Sequence, residues 1–378
     1  VLLIGAGLLV RSLVNRLDVG VGFDTEHLLT AEVQLPVDPY DSPERQALLF
    51  EQLVERVAAI PGVNDASATT SQPLKGLGTT ASIWPADRPD PGPGESPNGD
   101  IRWVHREYPK AIGIPIIAGR SFAESDRAGA PYVVLINQTA AREFWPDQNP
   151  IGKRVVMPVP SAELMVAEVV GVVGDLRHEG PDKEANPTFY WEHRQFQPFN
   201  VMSLVVRTHG PPSEVVPSIR GALRDLDPNL PLYNVKTMDE LFAKAVARPR
   251  LMAVSLGAFA LLALLLAAIG TYAVIAYATE QRAQEIGIRI ALGANRAAVV
   301  RMVVGQGIAL IAAALLVGTG GALALSRLLE SLVFDVTTTD PTTFTAMAAL
   351  LALSGVIACW LPALRASGID PVSAIRRE

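Results

Sequence analysis

Three runs without a charged residue constrain this chain more than anything else: 251–278, 302–326 and 341–364, of 28, 25 and 24 residues. About 20 apolar residues span a bilayer as a helix, so each run is long enough to cross. As one helix the first would reach about 42 Å against about 30 Å of hydrocarbon. It is therefore expected to tilt, or to project as a stalk toward the preceding soluble segment. None of the three has an amphipathic face, which argues against buried helices of a soluble protein. A shorter charge-free run, 1–10, would reach only about 15 Å. The chain opens at Val1 inside this run and no cleavage pattern follows. It reads as the end of a first membrane helix (1–16) whose start lies upstream.

Between these elements lies a segment of different character. Residues 11–250 hold 24 basic and 31 acidic side chains, a net −7. That balance marks a soluble domain, and it argues against nucleic acid as a partner, because phosphate binding needs a basic surface. The expected organisation is 1–16 as the end of a helix, 17–247 as an extracytoplasmic α+β domain, and 248–378 as a membrane domain. Membrane helices are expected at about 251–278, 302–326 and 341–364, with a loop at 279–301.

That loop is the most informative polar stretch. It carries Arg282, Arg289 and Arg296, with Arg301 beyond, whereas the loop 327–340 has one arginine and three acids. Arginine-rich short loops stay in the cytoplasm. The loop and the C-terminus, with Arg365, Arg376 and Arg377, are expected inside, and the soluble domain outside, in a periplasm. Glu285 and Arg289 are four apart, acid first, the favoured order for a helical pair. Ile286, Ile290 and Gly293 share a helical face, expected to sit against a partner or the lipid boundary, and Gly293 ends the helix. No ionisable side chain interrupts a complete span, which argues against an ion-coupled transporter. Gln306 is expected to bond between helices, and Gly318, Gly320 and Gly321 to allow close helix packing.

In the soluble domain, Ser42-Pro43-Glu44 opens a helix that Pro61-Gly62 closes. Strands are expected at 63–70, 132–136, 166–173 and 201–207, and helices at 138–144 and 213–226. Ser213 and Thr237 are read as N-caps.

Catalytic patterns are missing. Gly152-Lys153 is followed by Arg154, so no G-x-x-x-x-G-K-[ST] phosphate loop occurs. There is no H-E-x-x-H, and Cys359 is the single cysteine. His105, His178 and His193 are scattered in the sequence. No catalytic, cofactor or metal site is therefore expected. An enzyme would have to draw on Glu107, Glu124, Asp126, Asp175 and His178.

Several motifs in order resemble the MacB/FtsX-type permease family of ABC transporters, the mechanotransmission or type VII permeases. In the soluble domain they are Gly22-Phe23-Asp24, Val133-Val134-Leu135-Ile136-Asn137-Gln138, Phe144-Trp145-Pro146, Asn149-Pro150-Ile151-Gly152-Lys153-Arg154 and Glu168-Val169-Val170-Gly171-Val172-Val173-Gly174-Asp175. In the membrane domain they are Arg282 through Ala294 and Leu361-Pro362-Ala363-Leu364-Arg365-Ala366, with Ile369-Asp370-Pro371 following. Leu3-Ile4-Gly5-Ala6-Gly7-Leu8-Leu9 is similar to the C-terminal half of duplicated permeases.

The resemblance implies a four-helix membrane bundle plus a periplasmic core domain. It implies a non-catalytic inner-membrane permease subunit for export or extraction, without a cofactor. Its partners would be a separate ABC ATPase, a second permease module, the bilayer, and a periplasmic or outer-membrane protein. Arg282, Glu285, Ile286, Arg289, Ile290, Gly293 and Arg296 would form the ATPase-coupling loop. The alternative is an envelope scaffold or regulator that moves no substrate.

Overall fold

A computed structural model of the chain describes residues 1–18, 21–75, 78–92, 97–159, 164–180, 183–196, 199–292, 295–329 and 339–367. The chain divides into two compact units: Val19–Val246, and Val1–Asp18 with Ala247–Glu378.

The first unit is built on a 12-stranded sheet. In chain order the strands are β1 Leu28–Gln34, β2 Val63–Thr69, β3 Thr79–Ser82, β4 Trp84–Pro85, β5 Asn98–Val104, β6 Ile116–Gly119, β7 Val133–Asn137, β8 Arg154–Pro158, β9 Leu164–Val173, β10 Thr188–Glu192, β11 Val201–Thr208 and β12 Leu232–Thr237. They lie in the order β12-β1-β11-β2-β5-β10-β7-β9-β8-β4, with β3 on β5 and β6 on β9. The pairs β5–β10 and β7–β9 are parallel and the others antiparallel. The helices are α2 Pro43–Ala58, α3 Tyr108–Ile112, α4 Gln138–Phe144 and α5 Val216–Arg224, preceded at the N-terminus by α1 Leu2–Asp18.

The sheet has two halves, each with a core of its own, and a third cluster, with Leu28, Val205, Val104, Tyr108, Leu135 and Tyr190, runs across both. On β1, β2, β11 and β12 lie α2 and α5, with Phe50, Leu53, Val57 and Ile219 fully buried. Around α4, Phe144, Phe189 and Val169 fill a second core with Trp103 and Trp191. The halves meet where β2 pairs β5 through one residue pair, Thr69 with Val104. Two flanking backbone bonds extend that joint: Thr70 N–H donates to Trp103 O at 2.9 Å, and His105 N–H to Ala68 O at 2.8 Å.

Local chemistry explains the elements. Ser42 Oγ accepts from Arg45 N–H and Pro43 takes the first turn, so α2 starts as its sequence predicts. Asn137 Oδ1 caps α4 from Ala140 N–H at 2.9 Å and also accepts from Thr188 N–H at 2.9 Å, tying α4 to β10. Asp175 accepts from Thr139 N–H and Thr139 Oγ1, both at 2.9 Å, and from Arg142. Two motif glycines are needed for space. A Cβ on Gly22, at φ +89°, would lie 2.2 Å from Asp175 O, and one on Gly171 would lie 2.2 Å from Arg120 O.

One expected cap is displaced. Pro212–Val215 is a 3₁₀ turn and α5 begins only at Val216, so Ser213 is not its N-cap. Consecutive prolines at 211 and 212, with Pro217 one turn on, shift the start. Thr237 behaves as expected. Its Oγ1 accepts from Glu240 N–H at 3.2 Å, and Glu240 Oε2 accepts from Thr237 N–H at 3.1 Å, a reciprocal capping box.

Among the described residues, three helices are long and apolar enough to cross a membrane: α6 Met238–Gln281, α8 Arg296–Leu329 and α9 Pro341–Ser367, through windows 250–281, 297–324 and 341–365. Leu2–Ser12 of α1 is a shorter apolar helix. The short helix α7, Ala283–Ala291, lies between α6 and α8. Of the glycines singled out from sequence, Gly321 is close-packed, a Cβ there lying 3.3 Å from Val1 Cγ2, but the other two are not. Gly318 and Gly320 face open space, whereas a Cβ on Gly307 would meet Cys359 Sγ at 2.3 Å and one on Gly355 would meet Ile311 Cδ1 at 2.6 Å. These small residues let α8 and α9 approach where lipid offers no hydrophobic gain. Gln306 is exposed on α8, so the interhelical bond expected of it does not form among the described residues. At one end of the bundle Arg11 pairs with Asp340 at 2.7 Å, and Asp340 Oδ2 caps α9 by accepting from Thr343 N–H at 2.9 Å.

Candidate functional site: the arginine-bearing helix α7 and the polar clusters

The expected coupling residues fall on α7 and its flanks. Arg282 N–H bonds Thr279 O at 3.2 Å and Ile286 N–H bonds Arg282 O at 2.9 Å, so the backbone turns tightly from α6 into α7. Glu285 Oε1 and Arg289 Nη2 pair at 2.6 Å, with both side chains 51% exposed. An exposed helical pair of this kind contributes about 0.3–0.5 kcal/mol, so it shapes the surface more than it holds the fold. Arg289 Nη1 also reaches Met302 Sδ at 2.9 Å, and Arg282 and Arg301 are exposed.

Ile286 is placed differently from the outward face expected of it. It is 1% exposed and packs in a cluster with Ile275, Val299, Val303, Cys359 and Ala363. The chain's own helices cover it; among the described side chains, Ile288 of α7 (46% exposed) and Leu292 just beyond it (83% exposed) are outward and apolar. Heptad-like spacing shows that a face is apolar but not what covers it. Gly293 and the side chains of Ile290 and Arg296 lie outside the described residues. On α9, Arg365 donates to Tyr272 Oη at 2.5 Å and lies 5.9 Å from the ring centroid, holding the end of α9 to α6.

The residues considered for an enzyme are engaged separately. Asp126 accepts from Arg120 at 2.7 and 3.2 Å and from Ala123 N–H at 2.8 Å. Burial works to raise its pKa, but these bonds more than offset it and hold the carboxyl below the usual range. Asp175 serves Thr139 and Arg142, and Glu107 lies 3.7 Å from Arg106. His178 Nε2 meets Tyr190 Oη at 3.0 Å; burial, reinforced by Arg102, keeps this imidazole neutral.

The sequence left His105 and His193 as separate, scattered residues, and the fold brings them together. β5 and β10 pair in parallel with Trp103 opposite Trp191 and Val104 opposite Glu192. Both strands continue in register as His-Arg, so two W-x-H-R runs end side by side, their imidazole centroids 5.6 Å apart. Both face Glu51 of α2. His105 Nε2 lies 3.1 Å and His193 Nε2 3.5 Å from its Oε2, while Arg106 at 2.5 Å and Arg194 at 3.6 Å hold its Oε1. Burial alone would raise the Glu51 pKa, but the two histidines and Arg106 drive it far below the usual carboxylate range. The cluster spans the narrow joint between the two halves of the sheet. The repeated W-x-H-R was visible in the sequence, but strand pairing across 88 positions was needed to give it meaning.

Comparison with known proteins fits this architecture. Residues 4–219 match the MacB-like periplasmic core domain, and residues 257–371 match the FtsX-like permease C-terminal domain. The pyoverdine export ATP-binding/permease protein PvdT of Pseudomonas syringae pv. syringae (strain B728a) is 26% identical over 282 residues, covering 72% of this chain and 42% of that protein. The macrolide export ATP-binding/permease protein MacB of Chromobacterium violaceum is 25% identical over 294 residues, covering 74% and 44%. The chain thus spans less than half the length of these two relatives. The crystal structure of the periplasmic region of MacB from Actinobacillus actinomycetemcomitans matches at TM-score 0.40 and 15% identity, covering 58% of this chain and 92% of that one. The core-domain match covers more than half of the residues, and the permease match covers α8, α9 and α6 from residue 257 onward: the chain belongs to the family of proteins with a MacB-like periplasmic core domain and an FtsX-like permease domain.

Proposed function

We propose that this chain is a permease module of an ABC exporter, driven by an ATPase carried on a separate chain. One observation carries the reading. The 378 residues contain no phosphate-binding loop, yet they hold a short amphipathic helix with Arg289 exposed on its surface and Arg282 exposed just before it. Ile286 anchors that helix on the bundle, so a force applied to its arginines is passed to α6 and α8 rather than lost in a slack loop. Relatives named as export ATP-binding/permease proteins pair a nucleotide-binding part with a permease part, there within one protein.

In this reading α7 and the C-terminus face the cytoplasm of an inner membrane, following the arginine asymmetry. The soluble unit faces the periplasm. ATP binding moves α7 and the bundle. The soluble unit responds by expelling or extracting a substrate, together with a second permease module and a periplasmic or outer-membrane partner. The coupling set is Arg282, Glu285, Ile286, Arg289, Ile290, Gly293 and Arg296, with Ile286 as anchor rather than contact.

The test is reconstitution of the full chain in nanodiscs, with and without an ABC ATPase. The expected result is no ATP hydrolysis by the chain alone, stable retention of the ATPase, and faster hydrolysis by the complex than by the free ATPase. Hydrolysis by the chain alone, or failure to retain any ATPase, would overturn the proposal.

A further inference from the structure

The geometry points to a divalent-metal site in the soluble unit, formed by Glu51, His105 and His193 and suited to a borderline cation of the zinc class. One atom from each of these residues lies within 4.8 Å of the others. His105 and His193 are 2% and 0% exposed, and the Glu51 side chain is 13% exposed. Both imidazole Nε2 atoms and Glu51 Oε2 are buried without a hydrogen-bond partner. The two nitrogens stand 3.1 and 3.5 Å from the carboxylate oxygen without meeting hydrogen-bond geometry. Ligand atoms of one cation are likewise held close without bonding one another. For metal–nitrogen distances of about 2.0–2.1 Å in a tetrahedron, neighbouring ligand atoms stand about 3.3 Å apart, which brackets both contacts.

The surroundings fit a cation. Arg106 and Arg194 engage Glu51 through Oε1, fixing the carboxylate and leaving Oε2 free. Glu192 pairs with Arg194 at 3.1 Å, and Glu107 lies 3.7 Å from Arg106. Three carboxylates, Glu51, Glu107 and Glu192, thus surround the two guanidiniums. Metal entry has one local cost. Glu107 N–H lies 3.2 Å from His105 Nδ1, and a ring that ligates through Nε2 carries its proton on Nδ1, so this long contact is given up. Two imidazoles and one carboxylate leave the fourth position to water. The metal would join α2 to the ends of β5 and β10. It would thereby clamp the joint where β2 and β5 share a single residue pair.

The test uses the full chain in detergent, free of any affinity tag and stripped with a chelator, then titrated with Zn²⁺ and separately with Co²⁺. The expected result is saturable binding of one equivalent, a visible Co²⁺ d–d band of a four-coordinate nitrogen/oxygen site, and a rise in Tm with Zn²⁺. The variants Glu51→Gln and His193→Asn should lose the band and the Tm rise. The variant His27→Gln/His209→Gln, which alters the two exposed histidines, should keep both. Absence of the band in the unmodified chain, or its persistence in His193→Asn, overturns the assignment. Because the first of these needs no mutant, the test stands even if a variant fails to fold.

Discussion

The packing of α7 gives the sharpest prediction for the membrane unit. Ile286 is 1% exposed among Ile275, Val299, Val303, Cys359 and Ala363, whereas Ile288, two residues on, is 46% exposed. Replacing a buried isoleucine by alanine costs about 2–5 kcal/mol through lost contacts and a residual cavity. The lower end applies here, because lipid competes with protein for apolar contacts and leaves mainly dispersion to be lost. A loss of about 2 kcal/mol makes local opening about 30-fold more frequent. Ile286→Ala should therefore raise amide hydrogen exchange about 30-fold along α7, including the Leu292 N–H that bonds Ile288 O at 3.0 Å. Ile288→Ala should leave it within about threefold. Mass-spectrometric exchange on the detergent-solubilised chain reads both. Equal effects of the two variants, or an Ile286→Ala change below about threefold, would refute the view that Ile286 docks α7 on the bundle.

Other consequences are local. Asp126→Asn should destabilise the soluble unit by about 1–3 kcal/mol at pH 7, since it breaks bonds from Arg120 and Ala123 N–H to a buried carboxylate. The folded-state pKa of Asp126 is depressed, so its stabilisation is full above about pH 4 and is lost as pH falls through the folded pKa. Chemical denaturation of both proteins should accordingly converge toward low pH, and a gap that widens on acidification would contradict the assignment. Thr237→Ala should cost about 1 kcal/mol by removing half of the capping box at the start of α6, seen as a lower Tm that Thr237→Ser restores. Gly307→Ala should lower the Tm of the membrane unit, because its Cβ would sit 2.3 Å from Cys359 Sγ, whereas Gly305→Ala, which faces open space, should not.

How much of this was legible in the sequence depends on whether the signal is local. Long apolar runs declare α6, α8 and α9 through composition alone. Asn137 and Trp145-Pro146 bracket α4 at the expected residues, and Ser42 and Thr237 cap as their chemistry requires. Signals that depend on a distant partner were not legible. Nothing in Gly318 or Gly320 distinguishes them from Gly307, yet only Gly307 meets another helix. Ile286 shows a period but not its cover. The two W-x-H-R runs become a site only when β5 and β10 lie side by side and α2 brings Glu51 over their ends. Ser213 failed as a cap for a local reason that could have been weighed: its flanking prolines favour a 3₁₀ entry.

The central claim is that ATP-derived force enters this chain at the arginines of α7 and its flanks. Its most direct test is the stimulated ATP hydrolysis of the nanodisc complex after charge reversal, Arg282→Glu/Arg289→Glu/Arg296→Glu, with α7 exchange measured in parallel to confirm that the helix remains docked. Losing even one bonded interfacial charge costs about 2 kcal/mol or more, so the triple variant should bind the ATPase at least about 30-fold more weakly and lose stimulation. Full binding and full stimulation by a triple variant whose α7 stays protected would contradict the account.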